Sequence, residues 1–236
     1  PVSFCEIYGR GKIVSEADSF PSLNVKGLDA LDMVTFKPNG DRWNFDLSSD
    51  RAEAVELIDR LKPAWLGLSP PCTTFWLLNS NINYPKMDPA KVEELKRSGR
   101  RHLRFAISLA IKQLQQGRQF LFEHPLTASS WKDPAMVHLL KLHNVQKVTG
   151  HQCMFGLRVT GADGGETAAR KATGFVTSSP QMAARLNVTC DHSHDHTPLH
   201  GKKLEMAAFY PTELRLAILR GCLLYTSDAA DERLGV

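Results

Sequence analysis

Short apolar runs alternate with amphipathic stretches along the first two thirds of the chain. Apolar side chains at helical spacing predict helices over residues 49–62, 134–141 and from Pro89 to Gly117. Between them lie runs typical of buried strands, at residues 4–8, 24–28, 43–47, 64–69, 120–123 and 145–148. Because crossover helices that join parallel strands produce this alternation, the pattern predicts an α/β fold with a doubly wound, mostly parallel sheet.

The pattern changes after Gly150. Residues 161–172 are rich in Gly and Ala and predict a loop, followed by a strand over 174–177 and helices over 181–186 and 211–220. With no clear linker in the sequence, we predict a single domain over residues 1–221. Its cofactor and catalytic core would span 1–150, and 151–221 would form a small C-terminal part.

The C-terminal string CLLYTSDAADE is treated separately. It resembles the translation of a sequencing adapter, so we predict that residues 222–236 are a non-native tail. Leaving out its Asp228, Asp231, Glu232 and Arg233 raises the formal net charge from +4 to +6. A mildly basic chain permits a polyanionic partner without requiring one.

Composition excludes several classes of protein. A chain of 236 residues with 42% hydrophobic residues is expected to bury a globular core. No apolar run approaches the roughly 20 residues that span a bilayer, and charges interrupt PVSFCEIYGRGK where a signal peptide would be apolar. We therefore expect an intracellular protein without a membrane partner, cytoplasmic if it is prokaryotic or from a phage. Widely spaced cysteines in such a chain favour free thiols, a catalytic thiol or metal ligands over disulfides.

Two reactive side chains follow neighbouring predicted strands. SPPCTTF places Cys72 in a proline-stiffened loop after one strand, and FLFEHP places Glu123 at the end of the next. Since ligands of open parallel sheets bind beyond the carboxyl ends of the strands, a thiol and a carboxyl there can face one pocket. A thiolate is a strong nucleophile, and the carboxyl can hydrogen-bond or protonate the electrophile. Taken singly, Cys72 could instead be an inert buried residue and Glu123 a surface carboxylate.

The order of these residues resembles that of the C5-cytosine DNA methyltransferases. In that family one strand ends in a Pro-Cys loop, matched by Pro71 and Cys72, and a later strand ends in a Glu-Asn-Val type motif, matched by Glu123. A Gly-rich turn follows the first strand, and acids follow the second and third strands. The corresponding residues are Glu6, Gly9, Gly11, Asp29 or Asp32, and Asp46. The similarity extends over roughly residues 4–156.

The resemblance implies a class I, Rossmann-like methyltransferase fold and a definite reaction. Cys72 would add to C6 of a flipped cytosine, Glu123 would bind N3 and the exocyclic amine, and C5 would take the methyl group of S-adenosylmethionine. Pro71 belongs to the same catalytic loop. The cofactor-binding residues would be Glu6, Tyr8, Gly9, Gly11, Asp29, Asp46, Ser69 and Pro70.

The length leaves no room for a large target-recognition domain. The resemblance is therefore to a compact form such as those of phages or mobile elements, which we expect to act on double-stranded DNA as a monomer. The run KRSGRRHLR places Arg97, Arg100, Arg101 and Arg104 on the long predicted helix, where they could meet DNA phosphates or form a solvated face.

A second group of residues has the chemistry of metal ligands. Cys190, His194 and His196 are closely spaced, and Cys153 could join them from the sheet, a donor set that suits zinc. His192 and His200 belong to the same segment. The alternative is a solvated His-rich loop with no metal.

Two other functions stay open at this point. The first is a catalytically silent nucleic-acid-binding homologue on the same scaffold, with or without zinc. The second is a different thiol enzyme that uses Cys72 and His124.

Overall fold

The computed structural model of the chain describes residues 1–76, 79–161, 164–199, 201, 203–204 and 207–231. A sheet of six strands lies at the centre of the fold that these residues form. In chain order its strands are β1 (Val2–Ile7), β2 (Val25–Leu31), β3 (Trp65–Leu68), β4 (Gln119–Pro125), β5 (Gln146–His151) and β8 (Ala172–Thr177). A separate hairpin contains β6 (Arg158–Thr160) and β7 (Glu166–Ala168).

The strands lie in the order β2-β1-β3-β4-β8-β5. β1 to β4 pair in parallel, whereas β8 is antiparallel to both of its neighbours. The strand order reverses between β1 and β3, which makes this pair of strands the topological switch point of the sheet. The predicted α/β fold with a mostly parallel sheet is confirmed.

Helices cover both faces of the sheet. One apolar cluster joins three helices to one face, and a second cluster joins three more to the opposite face. The first layer contains α2 (Ser48–Leu61), α3 (Pro89–Gln115) and α4 (Pro134–Leu139). The second contains α1 (Lys12–Ser19), α5 (Pro180–Leu186) and α6 (Thr212–Asp231). None of the helices among the described residues combines the length and apolar character needed to cross a bilayer.

Side-chain alternation along β4 assigns its residues to the two layers. Phe120 and Phe122 are fully buried in the α2–α4 layer, and Leu121 packs into the α1–α5–α6 layer. Since successive side chains of a strand point to opposite faces, Glu123 shares the face of Leu121. Glu6, at the end of β1, is two residues from Phe4 and lies on the same face.

The predicted strand at 43–47 is wrong. Trp43 and Phe45 are buried, but they stack on each other with ring centroids 5.7 Å apart, and Phe45 meets the edge of Tyr8. Trp43 and Phe45 are buried by packing against other aromatic rings. The apolar pattern at 43–47 therefore reflects burial, without the hydrogen-bonded pairing of a strand. In this region the structure has an isolated bridge between Phe36 and Arg42.

The loop predicted at 161–172 is wrong in part, because β7 lies inside it and pairs with β6. These strands have three residues each, too short to give a period-2 signal. The final helix continues beyond its predicted end at residue 220, to Asp231. Within it Cys222, where the predicted non-native tail begins, is fully buried in the α1–α5–α6 layer.

Candidate active site

A small cleft lies at the switch point of the sheet. Its walls come from the ends of β1, β3 and β4 and from the segment that precedes α6, and they include Glu6, Gly9, Gly67, Ser69, Glu123 and Tyr210. These strand ends are where ligands of doubly wound sheets bind. The cleft therefore brings together Glu123 and several of the residues predicted to contact the cofactor.

Glu6 caps the helix that follows β1. Its Oε2 accepts hydrogen bonds from the backbone N–H groups of Ile13 (3.1 Å) and Val14 (2.9 Å), which satisfies donors in the first turn of α1. Gly9 is required beside it, since a Cβ there would overlap the Glu6 carboxylate. Burial raises the pKa of Glu6 to about 7, although both hydrogen bonds oppose the rise.

Tyr8 adopts the left-handed backbone region (φ 63°), which is unusual for a residue with a side chain and places strain at the end of β1. Its ring is buried in the core, and its hydroxyl contacts His102 Nδ1 at 2.9 Å. Tyr8 therefore shapes the turn through its backbone while its side chain packs away from the cleft. Gly11, also with positive φ (74°), is the N-cap of α1.

The acids that were expected to bind the cofactor lie in different settings. Asp29 is exposed within β2, whereas Asp32 is the first residue after that strand. Asp46 is engaged by α3: it forms an ion pair with Arg101 and accepts a 2.8 Å hydrogen bond from Ser98 Oγ. Partial burial opposes these contacts, but together they lower the pKa of Asp46. Asp32 thus occupies the strand-end position, and Asp46 holds its loop against α3.

The loop after β3 is anchored by His124. Since a carbonyl oxygen only accepts, His124 Nε2 donates to Pro70 O (3.1 Å), and Nδ1 accepts from Ser130 Oγ (2.6 Å). Burial lowers the pKa of His124 to about 4, so the ring is neutral at physiological pH. Both ring nitrogens are occupied, and His124 has none left to accept the proton of Cys72. This arrangement disfavours a thiol enzyme based on Cys72 and His124.

Cys72, Glu123 and Lys171 interact electrostatically. Burial and the charge of Glu123 raise the pKa of the Cys72 thiol to about 11, and Lys171 opposes the rise. Burial also raises the pKa of Glu123, which Lys171 and a hydrogen bond from Tyr210 oppose. The predicted thiol and carboxyl therefore do share one environment, while Pro71 is exposed between β3 and Cys72.

Lys171 and Tyr210 are the site residues that sequence reasoning missed. Lys171 directly precedes β8 with φ 28°, a conformation that side chains rarely adopt, and its Nζ donates to Ala207 O at 2.8 Å. Such an outlier persists only where the surroundings hold it. The one sequence signal for Lys171 is a cation three residues before the predicted strand at 174–177.

Tyr210 closes the cleft. Its hydroxyl lies 3.0 Å from Ser69 Oγ and donates to Glu123, while Arg215 holds the backbone carbonyl of Tyr210. The neighbouring Phe209 packs over Arg10 of the β1 turn, 5.1 Å from the guanidinium carbon to the ring centroid. About 10 Å³ of cavity remains, room for about one water molecule.

The residues around the cleft have side chains suited to an adenosyl cofactor, but the cavity is too small to hold one. Glu6 and Asp32 offer carboxylates suited to a cationic centre and to ribose hydroxyls, at the ends of β1 and β2. A nucleoside needs far more than the remaining volume. Binding therefore requires Tyr210 to leave its place between Ser69 and Glu123.

A larger cleft of about 370 Å³ lies beside the Cys72 loop. It is lined by Thr74, Phe75, Lys96, Arg100, Ser129, Lys132, Asp133 and Pro134. Of the residues predicted to contact DNA, Arg100 lines this cleft. Each of the four arginines is paired with an acid: Arg97 with Glu94 (2.8 Å), Arg100 with Glu93 (3.0 Å), Arg101 with Asp46, and Arg104 with Asp133 (3.8 Å).

The predicted metal ligands also come together, in the segments that follow β5 and α5. Possible ligand atoms of Cys153, Cys190, His194 and His196 all lie within 4.8 Å of one another. His192 is exposed next to them, and His200 lies outside the described residues.

These features define an α/β protein in which Glu123 lines the cleft at the switch point of the sheet and Cys72 follows the adjacent strand β3. No family model matches the sequence, and no curated protein matches it either. Among solved structures, it is similar to the Dnmt2 methyltransferase of S. pombe, with 11% identity and a TM-score of 0.44, over 75% of this chain and 50% of that one. It is also similar to the Entamoeba histolytica methyltransferase EhMeth, with 13% identity and a TM-score of 0.37, over 83% of this chain and 57% of that one. The chain thus spans about half the length of each of these proteins.

Proposed function

We propose that this chain is a cytosine-C5 methyltransferase in which Cys72 is the nucleophile and S-adenosylmethionine is the methyl donor. The observation that carries the proposal is that Cys72 and Glu123 follow the adjacent parallel strands β3 and β4, where the charges of Glu123 and Lys171 both act on the Cys72 thiol. A soft nucleophile, a carboxyl with a raised pKa and a cation in one place suit addition to an electron-poor ring.

Each residue has a defined task in this reaction. The Cys72 thiolate adds to C6 of a cytosine that has left the base stack, and negative charge develops over the ring. Glu123, whose pKa burial raises, donates to N3 in its protonated form, and the ammonium of Lys171 stabilises the charge. S-adenosylmethionine supplies the methyl group that C5 takes. A solvent water takes the C5 proton, and the electron pair of that C–H bond forms the C5–C6 double bond as the Cys72 thiolate leaves.

The substrate itself activates the thiol in this proposal. With a pKa of about 11, Cys72 is almost entirely protonated at neutral pH. The hydrogen bond to N3 requires Glu123 to hold its proton, so base binding favours the neutral carboxyl. Neutral Glu123 no longer raises the pKa of Cys72, which falls toward that of an ordinary thiol. The reactive form therefore accumulates with base bound, which limits side reactions of the free protein.

Double-stranded DNA is the proposed partner. The larger cleft borders the Cys72 loop at Thr74 and Phe75, and Lys96, Arg100 and Lys132 give it an excess of positive charge over Asp133. Phosphates bound there would place the flipped base near Cys72. A monomer is sufficient, since all the residues invoked come from one chain.

A covalent-trapping experiment tests the proposal. Duplex DNA containing 5-fluorocytosine is incubated with the protein and S-adenosylmethionine, because fluorine at C5 prevents the elimination step and leaves the adduct intact. We expect a denaturation-resistant complex with the wild type and with Cys222→Ala, whose thiol is buried in α6, and none with Cys72→Ser. An equivalent RNA duplex serves as the comparison. If the folded wild type forms an adduct with neither the DNA nor the RNA duplex, the proposal is overturned.

One observation favours a second candidate, a nucleic-acid-binding protein without transfer activity. The switch-point cleft retains only about 10 Å³ with Tyr210 in place. For this candidate, calorimetry would detect no binding of S-adenosylmethionine, while fluorescence anisotropy would detect DNA binding that weakens with salt. Measurable cofactor affinity would exclude it.

A further inference from the structure

Two cysteines and two histidines converge where the C-terminal part of the chain meets the sheet. Cys153 lies in the 3-10 turn after β5, and Cys190 lies four residues after the end of α5. His194 and His196 follow Cys190 in the same segment. Both cysteines are buried, with 8% and 7% of their surface exposed, and both histidines are partly buried.

The distances match a tetrahedral zinc site. With Zn–S of about 2.3 Å and Zn–N of about 2.0–2.1 Å, a sulfur and a nitrogen on one tetrahedron lie about 3.5 Å apart. Cys190 Sγ lies 3.5 Å from His196 Nε2 and 3.7 Å from His194 Nε2. The Cys153 thiol is also within hydrogen-bond reach of Cys190. All four ligand atoms lie within 4.8 Å of one another, so small side-chain shifts are enough for one ion to contact each of them.

The groups around the cluster support a metal-bound thiolate. The backbone N–H of His192 points at Cys190 Sγ at 3.3 Å, an interaction that favours negative charge on sulfur. The N–H of Cys190 itself donates to His151 Nδ1 at 2.9 Å, which fixes the start of the ligand loop. We propose that Cys153, Cys190, His194 and His196 bind one Zn²⁺ ion. With four protein ligands the coordination is closed, so the role is structural.

The proposed zinc joins segments that are distant in sequence. Thr197, just after the last ligand, donates its N–H to Ala168 O of β7 at 2.9 Å. Gln152, just before the first ligand, donates its N–H to Lys171 O at 3.4 Å. The metal would therefore brace both ends of the 168–171 stretch. A further consequence, which rests on the proposed function, is that zinc holds the Lys171 backbone in its strained conformation beside Cys72.

Metal analysis of the purified full-length chain tests zinc binding independently of any activity. Inductively coupled plasma mass spectrometry should find one zinc per chain in the wild type and a loss of at least about 80% in Cys190→Ser and His194→Ala. His192→Asn is the matched control: it lies in the same loop, Asn tolerates its positive φ of 61°, and it should retain zinc.

Cobalt substitution of the wild type avoids reliance on variants that fail to fold. After removal of zinc with a chelator, added Co²⁺ should give the intense visible bands of a tetrahedral site and the near-ultraviolet charge-transfer band of thiolate ligands. Three results would overturn the proposal: no zinc or cobalt uptake by the wild type, unchanged zinc content in Cys190→Ser, or a Cys153–Cys190 disulfide in the freshly purified protein. Because none of these measurements depends on catalysis, they stand if methyl transfer fails.

Discussion

Glu123, at the end of β4, raises the pKa of Cys72, the thiol that follows β3. The two residues therefore oppose each other in the free protein, since the proposed nucleophile becomes harder to ionise while its acid partner is charged. Lys171 acts in the opposite direction on both groups. The balance among these charges is directly measurable through the reactivity of the thiol.

Replacing Glu123 by Gln should make Cys72 more reactive toward iodoacetamide at pH 8. Loss of the carboxylate charge lowers the pKa of the thiol, and each fall of one in pKa gives about ten times more thiolate. Lys171→Met should have the opposite effect, because it removes the cation that lowers this pKa. Peptide mass spectrometry measures alkylation at Cys72 separately, with the buried Cys5 as internal control.

The same Glu123→Gln variant should lose methyl transfer even though its thiol reacts faster. This opposite movement of the two rates distinguishes an acid partner from a residue that only supports the fold. Slower alkylation in Glu123→Gln would show that the carboxyl does not raise the pKa of Cys72.

Tyr210→Ala should bind S-adenosylmethionine about tenfold more tightly than the wild type. In the wild type the cofactor must displace the Tyr210 ring and break its hydrogen bonds to Ser69 and Glu123, at a cost of roughly 1–3 kcal/mol. Tyr210→Phe keeps the ring and removes only the hydrogen bonds, so a smaller gain is expected. Isothermal titration calorimetry compares the three proteins. Weaker binding in Tyr210→Ala would identify Tyr210 as a cofactor contact rather than an obstacle.

Local patterns were sufficient to place the strands that carry the reactive residues. The predicted strand at 64–69 stops at Pro70 and Pro71, and in the structure β3 ends just before them, at Leu68. Asp88, which precedes Pro89, caps α3 by accepting a 3.1 Å hydrogen bond from Ala90 N. These features depend on residues close in the chain.

The residues that the sequence could not place depend on long-range packing. Lys171 reaches Glu123 through the antiparallel pairing of β8 with β4, and Tyr210 reaches Ser69 across 141 positions. Likewise, Trp43 and Phe45 look like strand residues because burial alone sets the apolar pattern. Their burial comes from the aromatic cluster and not from a ladder.

A buried ion pair should hold the segment that replaces the predicted strand at 43–47. Lys37 Nζ lies 2.8 Å from Asp50 Oδ1, and both side chains are only 7% exposed. Lys37→Met should lower the free energy of unfolding by about 1.5–3 kcal/mol, because the buried Asp50 carboxylate loses its cation and keeps only its hydrogen bonds from Asn44 N and Ser49 Oγ. In Lys37→Met/Asp50→Asn both charges are absent, while Asn can still accept from Asn44 N, so most of the loss should be recovered. Urea denaturation measures all three proteins; a double variant less stable than Lys37→Met would contradict this account.

Stability should fall as pH rises from 4.5 to 7, in a way that depends on Glu6. The pKa of this buried carboxyl rises from 4.5 to about 7 in the folded chain. Below pH 4.5 both states hold the proton; between 4.5 and 7 the unfolded chain loses it and the folded chain keeps it. Because the folded state binds more protons in that window, the free energy of unfolding decreases with pH, by about 3 kcal/mol over the whole window.

Glu6→Gln isolates this contribution, because the amide carries no charge at any pH and its oxygen can still accept from Val14 N. Urea denaturation of both proteins at pH 4.5, 5.5, 6.5 and 7.5 gives the difference in unfolding free energy at each pH. As pH rises, the wild type should lose about 3 kcal/mol of unfolding free energy relative to Glu6→Gln. Glu56→Gln, on the exposed surface of α2, supplies the comparison with a solvated carboxyl. If the Glu6 difference does not depend on pH, the two hydrogen bonds from α1 fully offset burial, and Glu6 is a charged helix cap already at pH 5.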